Sequence, residues 1–338
     1  MTPQQKIKAI IAFMAPEIRD AFLLSISGIV DNVVIAEIAD AIEAGDFNKV
    51  YVLLNITDPV FRPMQNALEN VYEQFADVKV SEFPAKIKTP FGTMVFRFNM
   101  RDPVAEKFLR DQSSDLVTAI TDDVRTVIRN TMTDGMQQGR NPRSVALDIV
   151  GRIDQTTGKR IGGVVGITGQ QEGWSRSVRA KLQTGDETYF KLALRDARFD
   201  STVRKAFESG KPLNADTIDK LVYRYRDNAL KYRGDQIAIT EIGFSQNASD
   251  YEAVRQVVAQ GMVKPGAVSR EWDTVGDTHV RHMHQLLNGQ IVGMNEPFVA
   301  ADGSQMMYPG DASLGAPASE RIGCRCRAKT KVDWGYGL

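Results

Sequence analysis

The chain is poor in the residues that most often carry chemistry, with only 2 cysteines, 3 histidines and 3 tryptophans in 338 residues. It also lacks a charge excess of either sign, since Lys+Arg and Asp+Glu both stand at 42. Overall charge therefore does not advertise nucleic-acid binding, and any such surface has to be a local patch. Long apolar runs are missing too. Nothing approaches the roughly 18 consecutive apolar residues of a spanning helix, so no membrane partner is expected. Lysines precede an apolar stretch near the start, but Pro16, Glu17 and Arg19 interrupt it and no small-residue cleavage site follows, so no export signal is expected. Cys324 and Cys326 stand one residue apart, too close for an easy disulfide within one strand, and read as cytoplasmic thiols. A nucleotide P-loop is absent as well. In Gly158-Lys159-Arg160, Ile153 stands where the motif needs its first glycine and Arg160 where it needs a hydroxyl. Gly158 to Gly163 reads as a plain flexible connection.

What is present is the composition of a folding chain, 43% hydrophobic and 25% charged, long enough for two or three cores. The pattern is mainly helical. Val34, Ile38 and Ile42 recur at intervals of four before Gly45, and Met64, Leu68, Val71 and Phe75 repeat the rhythm. Between Lys86 and Phe98 alternation takes over, with Met94, Phe96 and Phe98 on one side and a turn at Pro90-Phe91-Gly92, which predicts a small hairpin. A long helix is expected from Pro103 through Leu116, Ile120, Val124, Val127 and Ile128 to about Gly135, and Asn141-Pro142 restarts a short one. Trp174, Val178 and Leu182, then Ile218, Leu221, Val222, Tyr225 and Ala229, mark further helices. Arg176, Arg179, Lys181, Arg195 and Arg198 are interleaved with Glu172, Asp186, Glu187 and Asp196, the mark of a solvated mixed-charge face.

The last seventy residues hold most of the distinctive side chains. Val268, Arg270 and Trp272 alternate as in a strand, and a short helix capped by Asp277 is expected to run through Arg281 and His284 to a stop at Gly289. A hairpin is expected around Asp302-Gly303. From Cys324 to Val332 a final strand puts Cys324, Cys326, Ala328, Thr330 and Val332 on one face and Arg325, Arg327, Lys329 and Lys331 on the other. The fold class is therefore α+β, mainly helical, with long N-terminal and central helices and a small C-terminal α+β module.

Three readings of this terminal segment stand beside plainer ones. His279, His282 and His284 with Cys324 and Cys326 resemble a metal-ligand set. Two same-face strand cysteines rarely converge on one ion, however, so core cysteines and a hydrogen-bonding His284 are expected, with no cofactor. A metal on His284, Cys324 and Cys326 is the alternative. His284, Arg281, Asp277 and Glu320 are also candidates for acid–base chemistry on a phosphodiester, whereas helix capping and an ion pair explain Asp277 and Arg281 without chemistry. Arg325, Arg327, Lys329 and Lys331 suit double-stranded DNA or an acidic protein ring, and equally suit protection of an edge strand.

An ordered series of short motifs spans the same segment: Trp272-Asp273, Gly276-Asp277, Val280-Arg281, His284, Leu287-Asn288-Gly289-Gln290, Glu296-Pro297-Phe298, Tyr308-Pro309-Gly310-Asp311 and Glu320-Arg321-Ile322-Gly323-Cys324-Arg325-Cys326. It resembles the C-terminal signature of the phage head-morphogenesis, or minor head, protein family of the Mu F type. Upstream, Gly166-Ile167-Thr168, Arg195-Asp196, Gly210-Lys211-Pro212-Leu213 and Ile237-Ala238-Ile239-Thr240-Glu241 resemble the helical half of that family. The first 130 residues carry none of the resemblance. Gly323 departs from the asparagine common before Cys-Arg-Cys, although glycine tolerates the same left-handed geometry. Periodicity and resemblance together divide the chain into three segments: a helical N-terminal domain at 1–134 with its hairpin near 86–98, read from pattern alone, a helical head-morphogenesis region at 135–265, and an α+β module at 266–338. The resemblance also implies a virion-head protein assembled in the bacterial host cytoplasm. Its expected partners are the phage portal protein, capsid or scaffolding proteins, and double-stranded DNA. No enzymatic activity is expected, and the alternative is a nuclease-like or ADP-ribosyltransferase-like enzyme built on the terminal module.

Overall fold

The computed structural model describes residues 1–90, 92–278 and 280–335. Helices come first, with α1 (Pro3–Val30), α2 (Ile35–Glu43), α3 (Phe47–Leu53) and α4 (Arg62–Val80) preceding a hairpin of β1 (Ile87–Thr89) and β2 (Gly92–Met94). Next come α5 (Pro103–Gln137), α6 (Pro142–Val150), the hairpin β3 (Arg152–Ile153) and β4 (Arg160–Ile161), α7 (Gly169–Thr184), α8 (Asp200–Glu208) and the 45-residue α9 (Ala215–Ala259). The remainder is β5 (Val268–Asp273), α10 (His282–Leu287), β6 (Ile291–Gly293), β7 (Phe298–Val299), β8 (Gln305–Met306), α11 (Ala318–Arg321) and β9 (Arg327–Val332). The chain is mainly helical with small antiparallel sheets, as its periodicities predict. Among the described residues no single helix is long and apolar enough to cross a membrane, and α1 with α2 passes that test only across a 71° bend.

Packing sorts these elements into two compact units. One holds residues 1–19, 65–113 and 235 onward, the other residues 20–64 and 114–234. The units cut across the sequence-order segments 1–134, 135–265 and 266–338, because α1, α4, α5 and α9 each lend a stretch to both.

In the unit of residues 20–64 and 114–234, local rules explain the helix ends. Ile38, Ala41 and Ile42 form the buried stripe of α2, and Gly45, at φ +67°, follows its end. Val34 precedes the helix and is exposed, so it is not part of the stripe that its spacing suggested. Asn141 accepts from the Arg143 N–H, and Pro142 opens α6. Thr168 and Gln171 form a reciprocal capping box at α7. Val178, Leu182, Ile218, Leu221, Val222 and Tyr225 share one core with Tyr189 and Val203. The mixed-charge residues pair, with Arg176 on Glu172 and Asp134, Arg179 on Asp219 and Lys181 on Asp186, but the face is not solvated throughout, since Glu172 and Asp196 are buried. The glycine-rich link is not the flexible connection expected. Arg160–Ile161 pairs with Arg152–Ile153, and a Cβ built on Gly162, at φ +74°, would lie 2.3 Å from the Tyr223 side chain. Glycine is there because α9 packs against that backbone.

The other unit carries the terminal module. Ile87 and Phe96 pack with Val254, Val257, Met262, Val263 and Val268. The strand β2 ends at Met94, which is exposed, yet the expected alternation carries on beyond it, with Phe96 buried, Phe98 half-buried against the same core and Val95 and Arg97 exposed. A three-stranded antiparallel sheet follows, in the order β6-β5-β9, with β9 at an edge. On β5, Val268, Arg270 and Trp272 point inward. Two boundaries differ from expectation. The helix α10 begins at His282 rather than at Asp277, whose carboxylate instead accepts from Arg325 at 2.8 Å. The strand β9 begins at Arg327, so both cysteines precede it. His279 lies outside the described residues, as does Phe91 of the first hairpin turn.

Candidate functional site

The stretch of α9 from Thr240 to Asn247 is the platform of the site. The Gly323 N–H donates to Thr240 Oγ1 at 3.0 Å, and Gly323 takes φ +70°, the left-handed turn that its place before Cys-Arg-Cys predicts. Asn247 donates from Nδ2 to the Cys326 carbonyl and accepts at Oδ1 from the Ala328 N–H, both at 3.0 Å. A Cβ on Gly243 would lie 3.1 Å from the Cys324 carbonyl oxygen, so the helix needs a small residue there. From the other side, the Arg281 guanidinium donates to the Ile322 carbonyl. These contacts fix the backbone on both sides of Cys324 and Cys326.

Both thiols are buried and free. They face His284, itself 1% exposed, whose Nδ1 lies 3.5 Å from Cys324 Sγ and 3.7 Å from Cys326 Sγ. Spacing argued against convergence on the assumption that the cysteines sit in a straight strand. Because the strand starts only at Arg327, the turn at Gly323 is free to bring them together. The Cys326 contact, with His284 beside it, pulls the Cys324 thiol down, while the same contact pushes Cys326 up. On the far side of the imidazole, Nε2 lies 3.1 Å from Glu320 Oε2, within ion-pair range but without good hydrogen-bond alignment. Trp272 is fully buried, standing edge-on to His284 at 5.1 Å and to Phe298 at 5.2 Å. Its indole Nε1 is buried without a hydrogen-bond partner.

The structure therefore brings Trp272, His284, Glu320, Cys324 and Cys326 together, with Arg281 on the adjoining turn. It places Asp277 apart from them, on Arg325. The basic face of β9 is largely matched by acids. Lys329 lies 2.8 Å from Asp273 and Lys331 3.3 Å from Glu271, across the β5–β9 ladder, and Arg325 lies 2.8 Å from Asp277.

Sequence reasoning missed three residues. Arg270 is fully buried and donates to the backbone carbonyls of Gly293, Glu296 and Met307. The signal was available, as a charge on the apolar parity of β5 between Val268 and Trp272. Asp311, also buried, accepts from the Met307 and Ser313 N–H groups. Asn247, by contrast, sits mid-helix with nothing local to distinguish it.

These features define a mainly helical protein closed by a small antiparallel sheet that is pinned to its longest helix. The model of the family described as Phage Mu protein F like protein matches residues 126–329. That is more than half of the chain, which belongs to this family of minor head proteins. No curated protein and no solved structure matches it.

Proposed function

We propose that the chain acts in head morphogenesis as a minor virion component seated at the portal vertex, with the portal protein as its main partner. Family membership carries this reading, since the match takes in both the central helices and the terminal module. Surface chemistry supports a protein partner over packaged DNA. Carboxylates lie close to Arg325, Lys329 and Lys331, which lowers the field a phosphate backbone would meet. Exposed Val275, Leu286, Ile291, Val299 and Ile322 add apolar contact area to the same segment. In this reading the terminal module performs no chemistry. His284 is inaccessible to a phosphodiester, and Arg281 is engaged by the Ile322 carbonyl.

The test is co-purification with the portal protein of the same phage, with the complex sized at low and high salt. A complex that survives high salt is the expected result, because apolar contact is not screened. Absence of any complex would remove the portal assignment. Salt-sensitive retention of duplex DNA in its place would favour the basic edge as a DNA contact.

A further inference from the structure

We propose that Cys324 Sγ, Cys326 Sγ and His284 Nδ1 are three ligands of a zinc ion that ties α10 to the cysteine-bearing turn of the terminal module. Among the described residues these three donor atoms lie within 4.8 Å of one another. The spacing is more specific than proximity. Tetrahedral zinc with Zn–S near 2.3 Å and Zn–N near 2.0–2.1 Å sets its nitrogen and sulfur ligands about 3.6 Å apart. The Nδ1 to Sγ separations are 3.5 and 3.7 Å.

The outer contacts have the form a metal-bound imidazole needs. With Nδ1 turned to the sulfurs, Nε2 carries the ring proton and lies 3.1 Å from Glu320 Oε2, near enough for that carboxylate to orient a metal-bound ring once the two groups align. Trp272 packs edge-on against the same ring and covers that side of it. Both cysteine-bearing turns are held by α9 through Thr240, Gly243 and Asn247, so the donors are placed by the fold before any ion arrives. Two thiolates and one imidazole are a soft donor set that selects zinc over magnesium or calcium. The fourth tetrahedral corner is left to water.

Metal content of the full-length, untagged chain tests this. Protein made in zinc-supplemented cells and desalted without chelator is expected to carry about one zinc per chain, and the C324S/C326S double variant less than about a tenth of that. Cobalt uptake by the zinc-stripped wild-type chain is the second measurement and does not depend on any variant folding. Intense visible bands of tetrahedral cobalt, together with near-ultraviolet thiolate-to-cobalt bands, are expected. A folded wild-type chain that holds no zinc and takes no cobalt would overturn the assignment. So would a folded double variant that keeps a full equivalent of zinc.

Discussion

Replacing Arg270 with methionine tests the idea that the terminal module is held by a buried cation bonded to backbone carbonyls and not to a carboxylate. The Arg270 guanidinium donates to the Gly293 carbonyl from two nitrogens, at 3.2 and 2.7 Å, and to the carbonyls of Glu296 and Met307. It also lies over the rings of Tyr251 at 5.2 Å and Phe298 at 5.4 Å. Burial lowers its pKa, the direction expected when desolvation opposes the charge. Methionine keeps the apolar stem but leaves the Glu296 and Met307 carbonyls without their donor, and the Gly293 carbonyl with only the Glu296 N–H at 3.3 Å. Each orphaned acceptor costs about 1–3 kcal/mol when buried. Water reaches these partly exposed loops, so the low end applies, and the lost ring contacts add about 0.5–1 kcal/mol each. The expected destabilisation is about 3–4 kcal/mol. Lysine, a point charge without the planar fork, is expected to recover no more than about half of it.

A local reporter is needed because a chain of two units need not unfold in one step. A W174F/W334F background leaves Trp272, beside Arg270 on the same strand, as the single tryptophan, and urea midpoints read from its emission give the shift. A buried ion exchanged for a hydrophobe is often neutral when its partner is exchanged as well. Here the partners are backbone and stay behind. An Arg270→Met midpoint within about 1 kcal/mol of wild type, or equivalence of lysine and arginine, would refute the reasoning.

Three further outcomes are expected. Burial pushes the Glu241 carboxyl up to about 7 from an ordinary 4.5, with the Gln112 hydrogen bond opposing the shift. Folding therefore favours its protonated form, and the stability present below pH ~4.5 is lost as pH rises through about 7, by about 3 kcal/mol at most. Denaturation across that range should show the slope in wild type and a smaller one in Glu241→Gln. Gly162→Ala should destabilise the unit of residues 20–64 and 114–234 by at least about 2 kcal/mol in thermal unfolding, because its Cβ meets Tyr223 and φ is +74°. Asp148→Ala should cost about 3–5 kcal/mol in the same assay, since it removes the carboxylate shared by Arg140, Arg152 and the buried Arg226. A Tm unchanged in either variant would contradict the packing described.

Much of the architecture was legible because helical stripes report their own burial. Met64, Leu68, Val71 and Phe75 are all buried at the spacing that marked them, and α5 starts at the proline that announced it. Ends that depend on tertiary partners were not legible. Asp277 has the form of a helix cap, yet Arg325, distant in sequence, engages its carboxylate, and the helix waits until His282. Gly162 has the form of a loose linker because the Tyr223 ring that demands a glycine lies more than fifty residues away.

The same logic explains why the terminal motifs suggest chemistry. A small module cannot rely on apolar area alone, so it also closes through contacts among buried polar side chains. Trp272, Arg281, His284, Glu320 and the two cysteines therefore show the histidine, arginine, carboxylate and thiol set of an active site while each contacts another part of the module. Burial supports the structural reading proposed above. A catalytic histidine must reach its substrate, whereas His284 is 1% exposed, enclosed by Trp272, Glu320 and two thiols. In that reading the side chains of the signature close the module on itself while Gly323, Cys326 and Ala328 tie it to α9, so a change at Trp272 or His284 should loosen the module.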